Sequence, residues 1–123
     1  MNDKRYLDAL VPKRFAELLP NPSEKDITGD KTIAYVHWAA SVVAEYETEV
    51  YRHWFATGYD PQTKTYHGLI CGFETKHYEA ELEFGCWTIE QFENVNGLFG
   101  MNIIELDTHW IPQSIAPIRK MYT

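Results

Sequence analysis

The chain has 123 residues, of which 45% are hydrophobic and 15% aromatic, and a formal net charge of −7. That length supports one core and excludes two independent ones, and the apolar content excludes a disordered tail. Residues 32–111 carry twelve Asp/Glu against three Lys/Arg, a local balance of −9, which opposes direct binding to nucleic-acid phosphates.

Solubility is the simplest use of such acidity, and a basic protein partner is the functional one. No apolar run is long enough for a membrane span, and MNDKRYLDAL lacks the apolar core and small-residue cleavage site of a signal peptide. Two cysteines without CxxC spacing read as free thiols of a reducing compartment, so the expected location is the cytoplasm.

In chain order, DKRYLDALVPKRFAELLP spaces Tyr6, Leu7, Leu10, Phe15, Leu18 and Leu19 along one helical face. Pro12 and Pro20 leave one kinked helix or two short ones open. NPSEKDITGDK is a polar loop, and TIAYVHWA (32–39) reads as a strand. Residues 40–51 remain ambiguous, because ASVVA suits a helix while Glu45, Glu47 and Glu49 alternate with Tyr46, Thr48 and Val50 as in a strand. RHWFATGY and KTYHGLICGFE form a hairpin joined at DPQT, where Pro61 presets the turn and Asp60 bonds the local backbone.

EAELEFGCW reads as a strand with Ala80, Leu82, Phe84 and Cys86 on one face and Glu79, Glu81 and Glu83 on the other. Thr88 and Gln91 make a capping box, Trp87 and Phe92 a hydrophobic staple, and Gly97 a stop. Ile89, Phe92 and Val95 are expected to face the core. NIIELD is the last strand, and HWIPQSIAPIRKMY a tail across the surface. The expectation is a single α+β domain over residues 1–123. It comprises an N-terminal helical segment at 1–20, a mainly antiparallel sheet core at 32–111, one capped helix at about 88–97, and a tail at 112–123.

The candidate chemistry is sparse. His37, His53, His67, His77 and His109 show no HExxH or HxH spacing, so neither a metal nor a cofactor is expected. Asp60, Glu105 and Asp107 form a possible carboxylate cluster of the kind that holds a hard cation or works as acid and base. The plainer reading is an edge strand's polar face plus a turn residue. Cys71 and Cys86 fall within apolar alternations and read as small core residues. Trp38, Trp54, Phe55, Tyr59, Tyr66, Trp87 and Trp110 are many for one sheet face. Either the sheet is covered on both sides, or some aromatics anchor a partner.

Leu19-Pro20, WFATGYD (54–60), GLICGFE (68–74), EFGCWTIEQFE (83–93) and GMNIIELDTHWIP (100–112) follow in an order and spacing that resemble a known pattern. It is that of a family of small acidic proteins, a domain of unknown function, encoded on prokaryotic plasmids, phages and integrative elements. The resemblance covers roughly residues 15–118. It implies a shared fold and a mobile-element setting in which some members accompany genes that counter host restriction or related defences. Gly58, Cys86-Trp87 and Leu106 depart from the family's Glu, Tyr-Phe and Arg, while Asp60, Glu105 and Asp107 match.

Together these readings favour a non-enzymatic acidic interaction protein that inhibits a host defence or nucleic-acid-binding protein by occupying its basic surface. Its expected contacts are an acidic face of Glu79, Glu81, Glu83, Glu45, Glu47 and Glu49, with Trp54, Tyr59 and Trp110 as aromatic anchors. The alternatives are a small metal-dependent hydrolase or nuclease built on the carboxylate cluster, and a small-molecule-binding accessory protein with an aromatic pocket. Oligomeric state is left open.

Overall fold

The structure, a computed structural model, describes residues 10–43, 49–72, 82–99 and 103–121. β2 (Val36–Val43), β3 (Glu49–Asp60), β4 (Thr65–Cys71), β5 (Leu82–Trp87) and β6 (Ile104–Leu106) form an antiparallel sheet in the order β5-β4-β3-β2-β6. β1 (Ile33–Ala34) pairs separately with β7 (Gln113–Ser114). The helices are α1 (Ile89–Phe99) and α2 (Ile115–Met121).

The architecture is therefore mainly β, and the expected α+β class is corrected. Residues 1–9 of the anticipated N-terminal helix lie outside the described residues, and 11–20 contain only a 3-10 turn at Ala16–Leu18. The local chemistry accounts for this. Pro12 lacks a backbone donor, Phe15 at the cap position gives no side-chain hydrogen bond, and a single turn cannot offset the cost of helix nucleation. Leu10, Phe15 and Leu19 instead lie as a strap against the sheet.

Strand alternation sends β-rich, aromatic sequence to both sides of the sheet. On the front face Trp38, Trp54, Tyr66, Ile70 and Trp87 pack beneath the strap and Phe92 of α1. Trp38 is fully enclosed, and its indole N–H donates to the Leu10 carbonyl at 2.9 Å. On the back face Phe55, Leu69 and Cys71 are covered by Ile115 and Ile118 of α2, with Ala34, Trp110, Leu82 and Phe84 around them. The expected surface tail is thus half of a core. The Ile115 N–H donates to the Thr32 carbonyl, and the Arg119 guanidinium lies 5.0 Å over the Phe84 ring.

α1 opens with reciprocal capping. The Gln91 N–H donates to Thr88 Oγ1, and the Thr88 N–H donates to Gln91 Oε1. The helix passes Gly97 and ends at Phe99, because no left-handed turn is imposed there. Its inward face continues from Ile89 and Phe92 to Asn96 rather than to Val95, which is 38% exposed. Asn96 is buried and satisfies both backbone groups of Ile104, accepting at 2.8 Å and donating at 3.0 Å. It ties helix to edge strand where an apolar residue would leave two backbone groups unpaired.

A bulge between Ala56 and Gly58 shifts the β3–β4 register. It admits the loop from Pro20 to Ile27: the Tyr59 N–H donates to the Pro20 carbonyl, and Thr57 Oγ1 donates to the Ile27 carbonyl. A Cβ at Gly58 would stand 3.0 Å from both the Pro20 carbonyl oxygen and Ile27 Cγ2, so this close approach accounts for glycine at the position.

Candidate functional site

The register builds one polar constellation on the back face. His37 of β2 lies opposite Phe55 of β3, and Ala39 opposite His53, so the two imidazoles are diagonal neighbours on one face. The Asp107 N–H donates to the His37 carbonyl and carries β6's pairing one residue further, which sets the Asp107 side chain beside His37. His37 Nδ1 is 2.9 Å from Asp107 Oδ2, and His37 Nε2 is 2.9 Å from His53 Nδ1. His37 lies flat on Phe55, with ring centroids 4.6 Å apart and planes 8° apart, and Trp110 closes over both rings.

Burial lowers the His37 pKa despite the hydrogen bond and charge of Asp107. Burial and the neighbouring His37 bring His53 down to about 4. Burial pushes the Asp107 carboxyl up, but the hydrogen bonds from His37 and the His109 N–H, with the charge interactions of His37 and His109, outweigh it and the net shift is downward. An ionised Asp107 fixes the tautomers. His37 donates from Nδ1 and, being neutral, accepts at Nε2, and His53 then donates from Nδ1. The chain is a polarised relay with one carboxylate at its head.

The two facing nitrogens are closer than the roughly 3.3 Å edge of a tetrahedral site with Zn–N bonds of about 2.0–2.1 Å, so the pair is a hydrogen bond rather than a clamp. Among the described residues no group of three or more His, Cys, Asp or Glu converges on a common cation position.

Asp107 also lines a groove of about 340 Å³ between the strap and the turn after β6, together with Lys13, Arg14, Phe15, Tyr35 and Trp110. The Trp110 indole N–H donates to the Ala34 carbonyl at 3.0 Å, which fixes that ring, and the Arg14 guanidinium sits 4.9 Å over Phe15.

The expected carboxylate cluster does not assemble. Asp60 accepts the Gln62 N–H in its own turn, five residues along β3 from the Phe55 row and about 16 Å away at strand rise. Glu105 is exposed opposite Ala39, and Asp107 alone joins the relay. Of the anticipated acidic face, Glu45, Glu47, Glu79 and Glu81 lie outside the described residues, as does the Glu49 side chain, and Glu83 is exposed. Trp54 is buried at 8% exposure and Tyr59 packs on Tyr66, so neither offers a partner the free ring that was expected. Trp110 is half-buried over the relay. Cys71 is buried and pushed up to about 12 by burial, while Cys86, expected in the core, is exposed where the cover of α2 ends.

Sequence reasoning missed His37 and His53 as a pair. Their signal is register rather than spacing, because they meet only once β2 and β3 are read as neighbouring antiparallel strands. The part of the ambiguous 40–51 segment that is described belongs to those strands, with 44–48 outside the described residues. No helix among the described residues is long and apolar enough to cross a membrane. Compared with family models, curated proteins and solved structures, the chain has no match.

Proposed function

We propose that the chain is an acidic interaction protein that acts by binding, with the outward face of α1 docking onto a basic protein surface. The observation that carries the reading is an exposed apolar tip on a helix that also carries acidic side chains. Leu98 is 83% exposed and Val95 38% exposed on the helix that also carries Glu90 and Glu93. An exposed apolar group beside like charges is what a desolvating, oppositely charged partner would cover. Burial first, and then the charge of Glu90, raise the Glu93 pKa, so a cation brought against this pair would relieve existing repulsion.

The balance of −9 over residues 32–111 supports the same partner class through long-range steering. With the family resemblance as context, the partner is a host defence or nucleic-acid-binding protein in the cytoplasm of a prokaryotic cell carrying the mobile element. The bound chain blocks that protein's nucleic-acid surface.

The test is capture from host lysate with wild type, Leu98→Ser and Glu90→Lys/Glu93→Lys chains at low and moderate salt. The expected result is a stoichiometric basic partner that wild type retains, the charge-reversed chain loses, and moderate salt weakens. Equal recovery by all three chains, or no stoichiometric partner at either salt, overturns the reading.

A further inference from the structure

The groove beneath the strap lies apart from α1, and its chemistry is of a different kind. Its walls are the rings of Phe15, Tyr35 and Trp110, Asp107 supplies a carboxylate, and Lys13 and Arg14 add two cationic side chains on the strap. Its volume of about 340 Å³ falls in the range of small-ligand sites, which are mostly apolar with a few placed polar groups. From this juxtaposition we propose that the groove binds a single nucleotide, a planar nitrogen heterocycle carrying a phosphate.

Each part of that ligand has a counterpart. Aromatic walls accept the face of a base. The Asp107 carboxylate takes N–H donors from the base edge. Each of its oxygens already accepts one hydrogen bond, from His37 Nδ1 and from the His109 N–H, and each retains capacity for another. Those two bonds hold the carboxylate in place before a ligand arrives, which lowers the ordering cost of binding. The fixed Trp110 ring does the same for stacking. Lys13 and Arg14 suit the phosphate.

The acidic body argues for a monomeric ligand over a strand, since each additional phosphate would meet the −9 of residues 32–111. A rival cation, such as a partner's arginine, would enter the groove against Lys13 and Arg14.

The experiment titrates the intact chain with AMP, GMP, CMP and UMP, the parent nucleosides, ribose 5-phosphate and a ten-nucleotide single strand. Calorimetry and tryptophan emission are read in parallel. The expected result is saturable binding of at least one nucleotide, with its nucleoside weaker, ribose 5-phosphate at least tenfold weaker, and the strand no tighter than the monomer. Emission should be quenched through Trp110, so that Trp110→Phe removes the quenching while Trp38, Trp54 and Trp87 remain dark to the ligand. Asp107→Asn should weaken nucleotide and nucleoside alike by at least tenfold. Lys13→Ala/Arg14→Ala should weaken the nucleotide and leave the nucleoside unchanged.

Binding of ribose 5-phosphate as tight as that of any nucleotide would reduce the site to an adventitious anion site. No saturable binding of the four nucleotides at millimolar concentration, by a chain whose circular dichroism is native, also overturns the proposal, as does tighter binding of the strand. Leu98→Ser, which is aimed at α1, should leave nucleotide binding as it is, so the two readings fail independently.

Discussion

On the front of the sheet, Trp38 meets Tyr66, Trp87 and Phe92 at centroid distances of 5.0, 5.9 and 5.5 Å, all edge to face. On the back, His37 lies flat against Phe55, donates a hydrogen bond to Asp107 and accepts one from His53. Both faces enclose aromatic rings, but the front buries indole nitrogens, that of Trp38 bonded to the Leu10 carbonyl and that of Trp87 without a partner, whereas the back runs a titratable chain beside its core. The front therefore depends on shape and apolar area, and the back on protonation as well.

The largest expected break in that comparison is Trp38→Ala. It removes the centre of the front cluster and the bond to Leu10, and should cost about 3–5 kcal/mol by urea unfolding, equally at pH 5 and pH 7.5. A pH-dependent loss would show that the faces are coupled. Asn96→Leu comes next. It leaves the Ile104 N–H and carbonyl unpaired inside the structure and should cost about 2–3 kcal/mol, with β6 exchanging its amide hydrogens faster than β3.

The back face should declare itself through pH. Both imidazoles have lowered pKa values, so the folded chain binds fewer protons than the unfolded one. Their contribution is complete above the ordinary histidine value of about 6.5 and is lost as pH falls through the folded values, about 4 for His53. The contribution of Asp107, also lowered, is complete above the ordinary carboxylate range and is lost only at pH below it. Unfolding midpoints should therefore drop between pH 6.5 and 4, and His37→Asn/His53→Asn should flatten that drop. An unchanged slope in the double variant would remove the relay from the account of acid sensitivity.

The smallest effect belongs to neither face. Lys64 holds a φ of 55° in the β3–β4 turn, and Lys64→Gly should gain about 0.5–1 kcal/mol without altering the pH profile. A changed profile would mean that the turn and the relay are linked.

Much of the sheet was legible because its signals are local. DPQT carries its own turn chemistry, and Thr88 and Gln91 lie within one helical turn of each other. The strap was misread because periodicity records which residues want burial, not the shape of the backbone delivering them. Phe15 and Leu19 are half-buried as anticipated, through a stretch at 11–20 whose only helical feature is one 3-10 turn. Val95 and Asn96 exchanged roles because a backbone N–H and carbonyl at Ile104 outweighed hydrophobicity, a demand visible only once β6 is placed. Asp107 was picked out for the wrong company. Its partners sit 70 residues away at His37 and, through His37, at His53, and only the pairing of β2 with β3 and β6 brings them together.

The helix at Ile115–Met121 closes the back face, and it is synthesised after every strand of the five-stranded sheet. A nascent chain can pair β2 through β5 while Phe55, Leu69 and Cys71 still lack Ile115 and Ile118 above them. Translation arrest or proteolysis before Ile115 would thus yield a paired sheet with one sticky side and a thiol that has lost its shelter. Quality-control proteases and chaperones act on surfaces of that kind, so this short helix also serves as the fold's sign that its last core residues have arrived.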